Sequence, residues 1–210
     1  MEGTSPRKNR DLSVLMLELL KDALENAPIV KRGEYSYFIN PLQGVSPPLQ
    51  PDLLMEIARA IVRIADIDVD RIVTAEVMGI HISSLVSFLT GIPLVIIRKK
   101  EFGLPGEVEF MSEKSYRQTA KEEEVKLYIN SIQKGDRVLI VDDVMSEGGT
   151  VVGMIKGLQK VGAVVKDVVI VINRGRALQR VKEETGHDVK TLADVEVRDG
   201  KVHILGMRKI

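Results

Sequence analysis

The sequence predicts an α/β fold, a parallel central sheet flanked by helices. Short β-branched apolar runs recur at 71–75, 93–97, 138–141 and 167–173, and each is too short for a helix of its own. Between them, apolar residues fall at the three- and four-residue spacing of helices. Strands alternating with helices describe strand–crossover–strand units, and no internal repeat or low-complexity tract interrupts the pattern.

Composition bounds the function. The 210 residues are enough for one domain with a sizeable core. Thirty basic side chains balance thirty acidic ones, which argues against nucleic acid as a partner, because such a surface needs a basic excess. Cysteine is absent, so disulfide and thiol chemistry are excluded, in keeping with a reducing cytoplasm. The histidines, at 81, 187 and 203, have no ligand-like spacing, against a structural zinc. No apolar run approaches the roughly 18 residues of a membrane span, and residues 1–10 lack a secretory apolar core. A soluble, cytoplasmic protein with no membrane contact is expected.

The elements follow in order. Residues 1–10 read as a mobile tail, with a single domain over 11–210. Leu12, Leu15, Leu19, Leu20 and Ala23 mark an amphipathic helix closed by Pro28. Beyond it Tyr35, Tyr37 and Ile39 alternate as in a strand, close to Lys31 and Arg32. Aromatics beside cations suit either stacking on a purine ring or plain packing in a small core. Pro51 opens a helix whose stripe is Leu53, Leu54, Ile57, Ala58, Ile61, Ile64 and Ala65. Strand 71–75 ends in Glu76-Val77-Met78-Gly79, and a helix with Ile82, Leu85, Val86 and Leu89 on one side follows. A glycine at that joint makes a candidate anion cradle. Strand 93–97 ends in Arg98-Lys99-Lys100, three cations on the rim where α/β sheets bind ligands. They can neutralise a pyrophosphate without any basic excess overall. Residues 106–126 are polar and charge-dense and read as a long loop, with a return strand at 127–130. Beyond the central motif come a buried strand at 167–173, a short helix at 177–185 ended by Gly186, and strands at 189–197 and 201–205. An Arg198-Asp199-Gly200 turn joins the last two.

The most informative stretch is Val138-Leu139-Ile140-Val141-Asp142-Asp143-Val144-Met145-Ser146-Glu147-Gly148-Gly149-Thr150. An apolar strand runs into two carboxylates, then a loop, then a helix with Thr150 at its N-cap and Val151, Met154, Ile155, Leu158 and Val161 as its apolar positions. The start of that helix favours a phosphate, and Gly148 and Gly149 let the backbone wrap it closely. Ser146 and Thr150 add hydroxyl donors. Carboxylates cannot bind phosphate, but they accept hydrogen bonds from sugar hydroxyls. Phosphate on one side and a diol on the other describe a ribose 5-phosphate.

This stretch resembles the signature of the type I phosphoribosyltransferases, which bind 5-phosphoribosyl 1-pyrophosphate (PRPP). Lys-Arg-Gly-Glu-Tyr-x-Tyr-Phe, Glu-x-Met-Gly-Ile and Val-Asp-Asp-Val are similar to the archaeal hypoxanthine/guanine branch, whereas Arg-Lys-Lys…Leu-Pro-Gly-Glu over 98–107 resembles adenine phosphoribosyltransferases. The resemblance implies a hood at 27–45, with the C-terminal strands as a further candidate part, and a flexible lid over about 101–126. It implies purine salvage: PRPP plus a purine base, hypoxanthine or guanine ahead of adenine, giving nucleoside monophosphate and pyrophosphate. A homodimer is also implied. In the implied site Asp142 and Asp143 hold the ribose hydroxyls, and residues 145–150 (Met145, Ser146, Glu147, Gly148, Gly149, Thr150) hold the 5′-phosphate. Glu76, Val77, Met78, Gly79, Arg98, Lys99 and Lys100 face pyrophosphate. Lys31, Arg32, Tyr35 and Tyr37 face the base. Mg²⁺ rides on PRPP, touched at most indirectly by Asp142 and Asp143. A proton on the purine falls to Asp142, Asp143 or Glu107. Two positions depart from the pattern: Glu147 where a small residue is usual, and His81 where many relatives have proline. Glu147 keeps open a PRPP-sensing regulator on the same fold without catalysis. Its side chain is expected to point to solvent.

Overall fold

The computed structural model describes residues 17–32, 35–116 and 121–210, without the side chains of 31–37 and 113–124. Helix α1 (Glu18–Glu25) precedes a hairpin of β1 (Ile29–Arg32) and β2 (Tyr35–Phe38) and a 3-10 turn at Pro41–Gln43. Then come α2 (Pro51–Ile64), β3 (Arg71–Ala75), α3 (Ile80–Thr90) and β4 (Leu94–Ile97). A second hairpin, β5 (Val108–Tyr116) and β6 (Lys121–Ile129), leads to β7 (Arg137–Met145) and α4 (Gly149–Val161). The chain closes with β8 (Val164–Arg174), α5 (Ala177–Thr185), β9 (Lys190–Arg198) and β10 (Lys201–Met207). Residues 1–16 and 117–120 lie outside the described residues, and with them the expected tail, the start of the first helix and the tip of the expected lid. No described helix is long and apolar enough to cross a membrane.

The main sheet runs β10-β9-β8-β7-β3-β4, parallel except for β10, which pairs antiparallel with β9. Period-two alternation in β7 builds both layers of core. Leu139 and Val141 face one side with Val169, Val171, Ile57 and Ile61. Val138 and Ile140 face the other with Val168, Ile170, Met154, Ile155 and Leu158. All are fully buried, which is why the strand reads as an unbroken apolar run. At the amino ends of the central pair, Arg137 bonds Asp68 at 2.7 Å and Asp70 at 3.0 Å, tying the start of β7 to the residues before β3. Helix α1 has no capping side chain of its own. The Glu56 carboxylate of α2 instead accepts from Leu19 and Leu20 N–H at 3.3 and 2.9 Å, supplying negative charge at a helix start.

Three sequence expectations need correction. The stretch 106–126 is not a long loop: its described part is an antiparallel hairpin. Alternate positions face inward and pair across the strands, Val108 with Ile129, Phe110 with Leu127, and the small Ser112 with Val125. Their outward partners, Glu109 and Lys126 among them, give the segment its polar composition. Strand β7 does not stop before the acidic pair but runs through it to Met145, with Asp142 opposite Ile170 of β8. Helix α4 starts at Gly149, so its N-cap is Gly148 rather than Thr150. Gly148 has φ 81°, which only glycine adopts without strain, and a β-carbon there would lie 3.1 Å from Val181.

The hairpin is fixed at its base. Phe110, Leu127 and Ile129 are buried on α4, and two helix glycines make the contact close. A β-carbon at Gly157 would meet the Phe110 ring at 2.6 Å, and one at Gly153 would meet the β5 backbone at Met111 O and Ser112 Cα at 2.9 Å. Backbone cannot yield as a ring can. Gly153→Ala is therefore expected to destabilise by about 1–2 kcal/mol net, overpacking outweighing the ~1 kcal/mol helix preference for Ala. Urea unfolding midpoints check this, and an unchanged or raised midpoint would contradict the packing.

Candidate active site

In a parallel sheet the carboxyl ends of the strands share one rim, and ligands bind where the strand order reverses. Here that point lies between β3 and β7, since the chain runs outward to β4 from one and to β8 from the other. A cleft of about 380 Å³ opens there. The end of β3 contributes Ala75 to Met78, and the end of β7 contributes Asp142 to Val151, an unbroken run. Lys99 beyond β4 and Ser112, Val125 and Leu127 of the second hairpin complete it.

The acidic pair lies at the floor. Asp142 and Asp143 are 8% and 5% exposed, so water does little to stabilise their charge. Asp142 Oδ1 accepts from the Asp143 N–H at 2.9 Å, and Asp143 Oδ2 accepts from Asn40 Nδ2 at 2.7 Å. Burial, then the neighbouring Asp143 charge, holds the Asp142 carboxyl well above its ordinary range. Burial raises Asp143 to about 6, against the backbone N–H of Val144 and the Asn40 amide, which favour its charged form. The candidate anion cradle follows directly. Gly148 and Gly149 start α4 with no side-chain cap, leaving the first amides for an anion. Ser146 and Thr150 line the same wall.

Opposite is the β3 loop, with a cis peptide bond between Glu76 and Val77. Gly79 is buried against the acidic pair, and any β-carbon there would overlap Thr74 Oγ1 and Asp142 Oδ1. Glu76 also lines this wall, but its carboxylate is engaged elsewhere. It accepts from the Lys99 N–H at 2.7 Å and pairs with Arg98 Nε at 3.0 Å. Glu76 thus ties the β3 and β4 loops together. Arg98 lies over the Phe102 ring, 5.3 Å from its centroid, and lines a separate cavity with Glu107. Of the cationic triplet only Lys99 lines the cleft; Lys100 is exposed outside it.

The remaining residues fall as follows. Glu107 is not at the cleft. Its carboxylate accepts from the N–H groups of Phe102 and Gly103 at 3.1 and 2.9 Å and from Asn130 Nδ2 at 3.0 Å, closing its own turn. A proton-transfer role for Glu107 has no geometric support here. Glu147 is half-buried at the cleft, and its carbonyl accepts from Arg180 of α5 at 3.4 Å. The side chains of Lys31, Arg32, Tyr35 and Tyr37 lie outside the described residues. His81 is half-buried beside the β3 loop, with its basicity lowered by burial. Sequence reasoning passed over Asn40, although Asn before Pro at a strand end is a helix-start signal. Among the described residues no three His, Cys, Asp or Glu side chains converge as a metal site.

A buried acidic pair thus runs into an uncapped glycine helix start, with a second glycine loop opposite, and together they set hydroxyl acceptors beside anion donors. The chain belongs to the phosphoribosyl transferase domain family, whose model matches residues 50–202. It is 50% identical to the hypoxanthine/guanine phosphoribosyltransferase of Methanothermococcus okinawensis, over 90% of this chain and all of that one. It is 48% identical to the enzyme of the same name from Methanothrix thermoacetophila, over 89% and 95%. Among solved structures, adenine phosphoribosyltransferase from Thermoanaerobacter pseudethanolicus superposes with a TM-score of 0.67 at 18% identity, covering 85% of this chain and 99% of that one. The Trypanosoma brucei adenine enzyme, solved with AMP, pyrophosphate and ribose-5-phosphate, gives 0.65 at 19% identity, covering 91% and 88%. At such identities the likeness is one of fold, and it is the type I phosphoribosyltransferase fold.

The raised Asp143 has a consequence for the protein without ligand. A folded-state value above the unfolded one means the folded protein holds the proton more tightly. The stability this gives is complete below about pH 4 and is lost as pH rises to about 6. Asp143→Asn is therefore expected to gain on the parent protein across that window. Denaturant titrations from pH 4 to 8 check this, and an advantage that shrinks with pH would reverse the sign.

Proposed function

We propose that this protein transfers the 5-phosphoribosyl group of PRPP to hypoxanthine or guanine, releasing pyrophosphate and forming the nucleoside monophosphate. The observation carrying this reading is the buried Asp142–Asp143 pair abutting the uncapped start of α4. Full-length relatives near 50% identity bear the hypoxanthine/guanine name, which favours 6-oxopurines over adenine.

In this reading the amides at 148–150 and the hydroxyls of Ser146 and Thr150 hold the 5′-phosphate. Asp142 and Asp143 accept hydrogen bonds from the 2′ and 3′ hydroxyls. The bond from C1′ to the pyrophosphate oxygen breaks, a bond from C1′ to a purine nitrogen forms, and the proton of that nitrogen passes to the released pyrophosphate or to water. Between the two the ribose carries positive charge, and two fixed carboxylates in a low-dielectric cleft favour that charge. Lys99 and the backbone around Val77, Met78 and Gly79 face the departing pyrophosphate, with Arg98 as a more distant charge. The donor set suits Mg²⁺ carried in by the substrate: two carboxylates at most, short of a protein-only site. When bound, Mg²⁺ neutralises charge on the leaving pyrophosphate. The hood, with Lys31, Arg32, Tyr35 and Tyr37, covers the base. The cysteine-free composition suits the cytoplasm. A homodimer is the expected assembly, and exposed Phe88 and Val77 offer an apolar surface for it; sedimentation equilibrium measures it.

The test is incubation with PRPP, Mg²⁺ and, separately, hypoxanthine, guanine, xanthine or adenine, following the monophosphate. Turnover is expected with the first two. The Asp142→Asn, Asp143→Asn double variant should lose at least about a hundredfold in kcat/KM while remaining folded. An active double variant, or PRPP binding with no turnover on any base, would remove the enzyme assignment.

A further inference from the structure

Asn40 stands outside every motif, yet it joins two parts of the molecule. It lies 103 residues from its partner Asp143, follows β2 of the first hairpin, and is 3% exposed. Both ends of its amide are used. The carbonyl oxygen accepts from Leu42 N–H at 3.0 Å, starting the 3-10 turn at Pro41–Gln43. The amide nitrogen donates to Asp143 Oδ2 at 2.7 Å. With the oxygen committed to Leu42, the nitrogen must face the carboxylate, so the amide has one orientation. The backbone on either side is pinned as well. Ile39 N–H donates to Pro28 O at 2.7 Å, and Gln43 N–H donates to Asn40 O at 3.0 Å. Phe38, two residues before, is buried under the Arg174 guanidinium, 5.3 Å from the ring centroid. The donor is thus held from the first hairpin and from the carboxyl end of β8.

We infer that Asn40 is a positioning residue for PRPP: it fixes the Asp143 carboxylate in the rotamer that receives the ribose hydroxyls. A carboxylate turns freely about its last bond unless an oxygen is tied. With Oδ2 tied to Asn40, that rotation is stopped and the carboxylate presents one fixed edge to the sugar. The assignment rests on the PRPP-binding reading given above.

Substitution separates this role from the helix-cap role. Serine and aspartate are good caps and keep the acceptor for Leu42 N–H. Neither donates to Asp143 from this position, serine being too short and aspartate placing a second carboxylate against the first. Asn40→Ser is expected to keep the parent melting temperature within a few degrees yet bind PRPP about tenfold more weakly by calorimetry. Asn40→Asp should be weaker again. The kinetic signature is a raised KM for PRPP exceeding any change in KM for the base. A residue that only caps the turn would leave both variants like the parent. Asn40→Asp binding PRPP within twofold of the parent overturns the inference, and where that variant fails to fold, Asn40→Ser binding within twofold does so. So does weakened binding matched by an equal loss of folding stability. A parent protein that binds no PRPP would instead refute the functional reading, so the two failures are distinguishable.

Discussion

Everything at the rim of the sheet answers to one constraint: two adjacent carboxylates are held nearly dry at the switch point between β3 and β7. Left to themselves they would repel, and burial deprives them of water. The protein offsets this with dipoles, and the Lys99 charge across the cleft adds to them. The Asp143 N–H serves Asp142, and the Asn40 amide serves Asp143. The start of α4 lies a few residues along, with its amides uncapped. The site is thus arranged for a ligand that brings hydroxyls to the carboxylates and phosphate to the amides.

Charge is kept apart in the same economical way on the opposite wall. Glu76 accepts from the Lys99 backbone and pairs with Arg98, which also rests on Phe102. That leaves Lys99 as the member of the triplet lining the cleft. A chain with no net charge can therefore present a cationic wall and an acidic floor within one small cleft, because the opposing charges are distributed by strand end.

The sequence was most legible where one periodicity dominates. The unbroken apolar run of β7 and the helical spacing of α4 placed the acidic pair and the glycine loop after it, since buried parallel strands and amphipathic helices leave strong patterns. The second hairpin was misread as a loop because only alternate residues are apolar and its outward face is densely charged. The Thr150 cap was misjudged by two residues because the turn depends on Gly148 adopting a positive φ, a tertiary fit against Ala177 and Val181. The bonds Glu107 accepts from Phe102 and Gly103 close a turn that the sequence does not show. Only the cap role of Asn40 was legible in the sequence; its bond to Asp143 was not, since that partner lies across the fold. Side chains that serve contiguous backbone are visible in a sequence; those that serve a distant carboxylate are not.

The close seating of the second hairpin on α4 has a mechanical side. A ribbon clamped at one end behaves as a cantilever. The glycines at 153 and 157 set the clamp, and the paired strands beyond it set the stiffness. Any excursion of the far end must be taken up as bending along the ribbon instead of rotation at its root. Helix α4 carries both the clamp and the uncapped start at the cleft, so load on the hairpin is borne by the element that lines the site. Lengthening the ribbon would extend its reach without relocating its fulcrum, whereas a bulkier residue at 153 would shift the fulcrum itself.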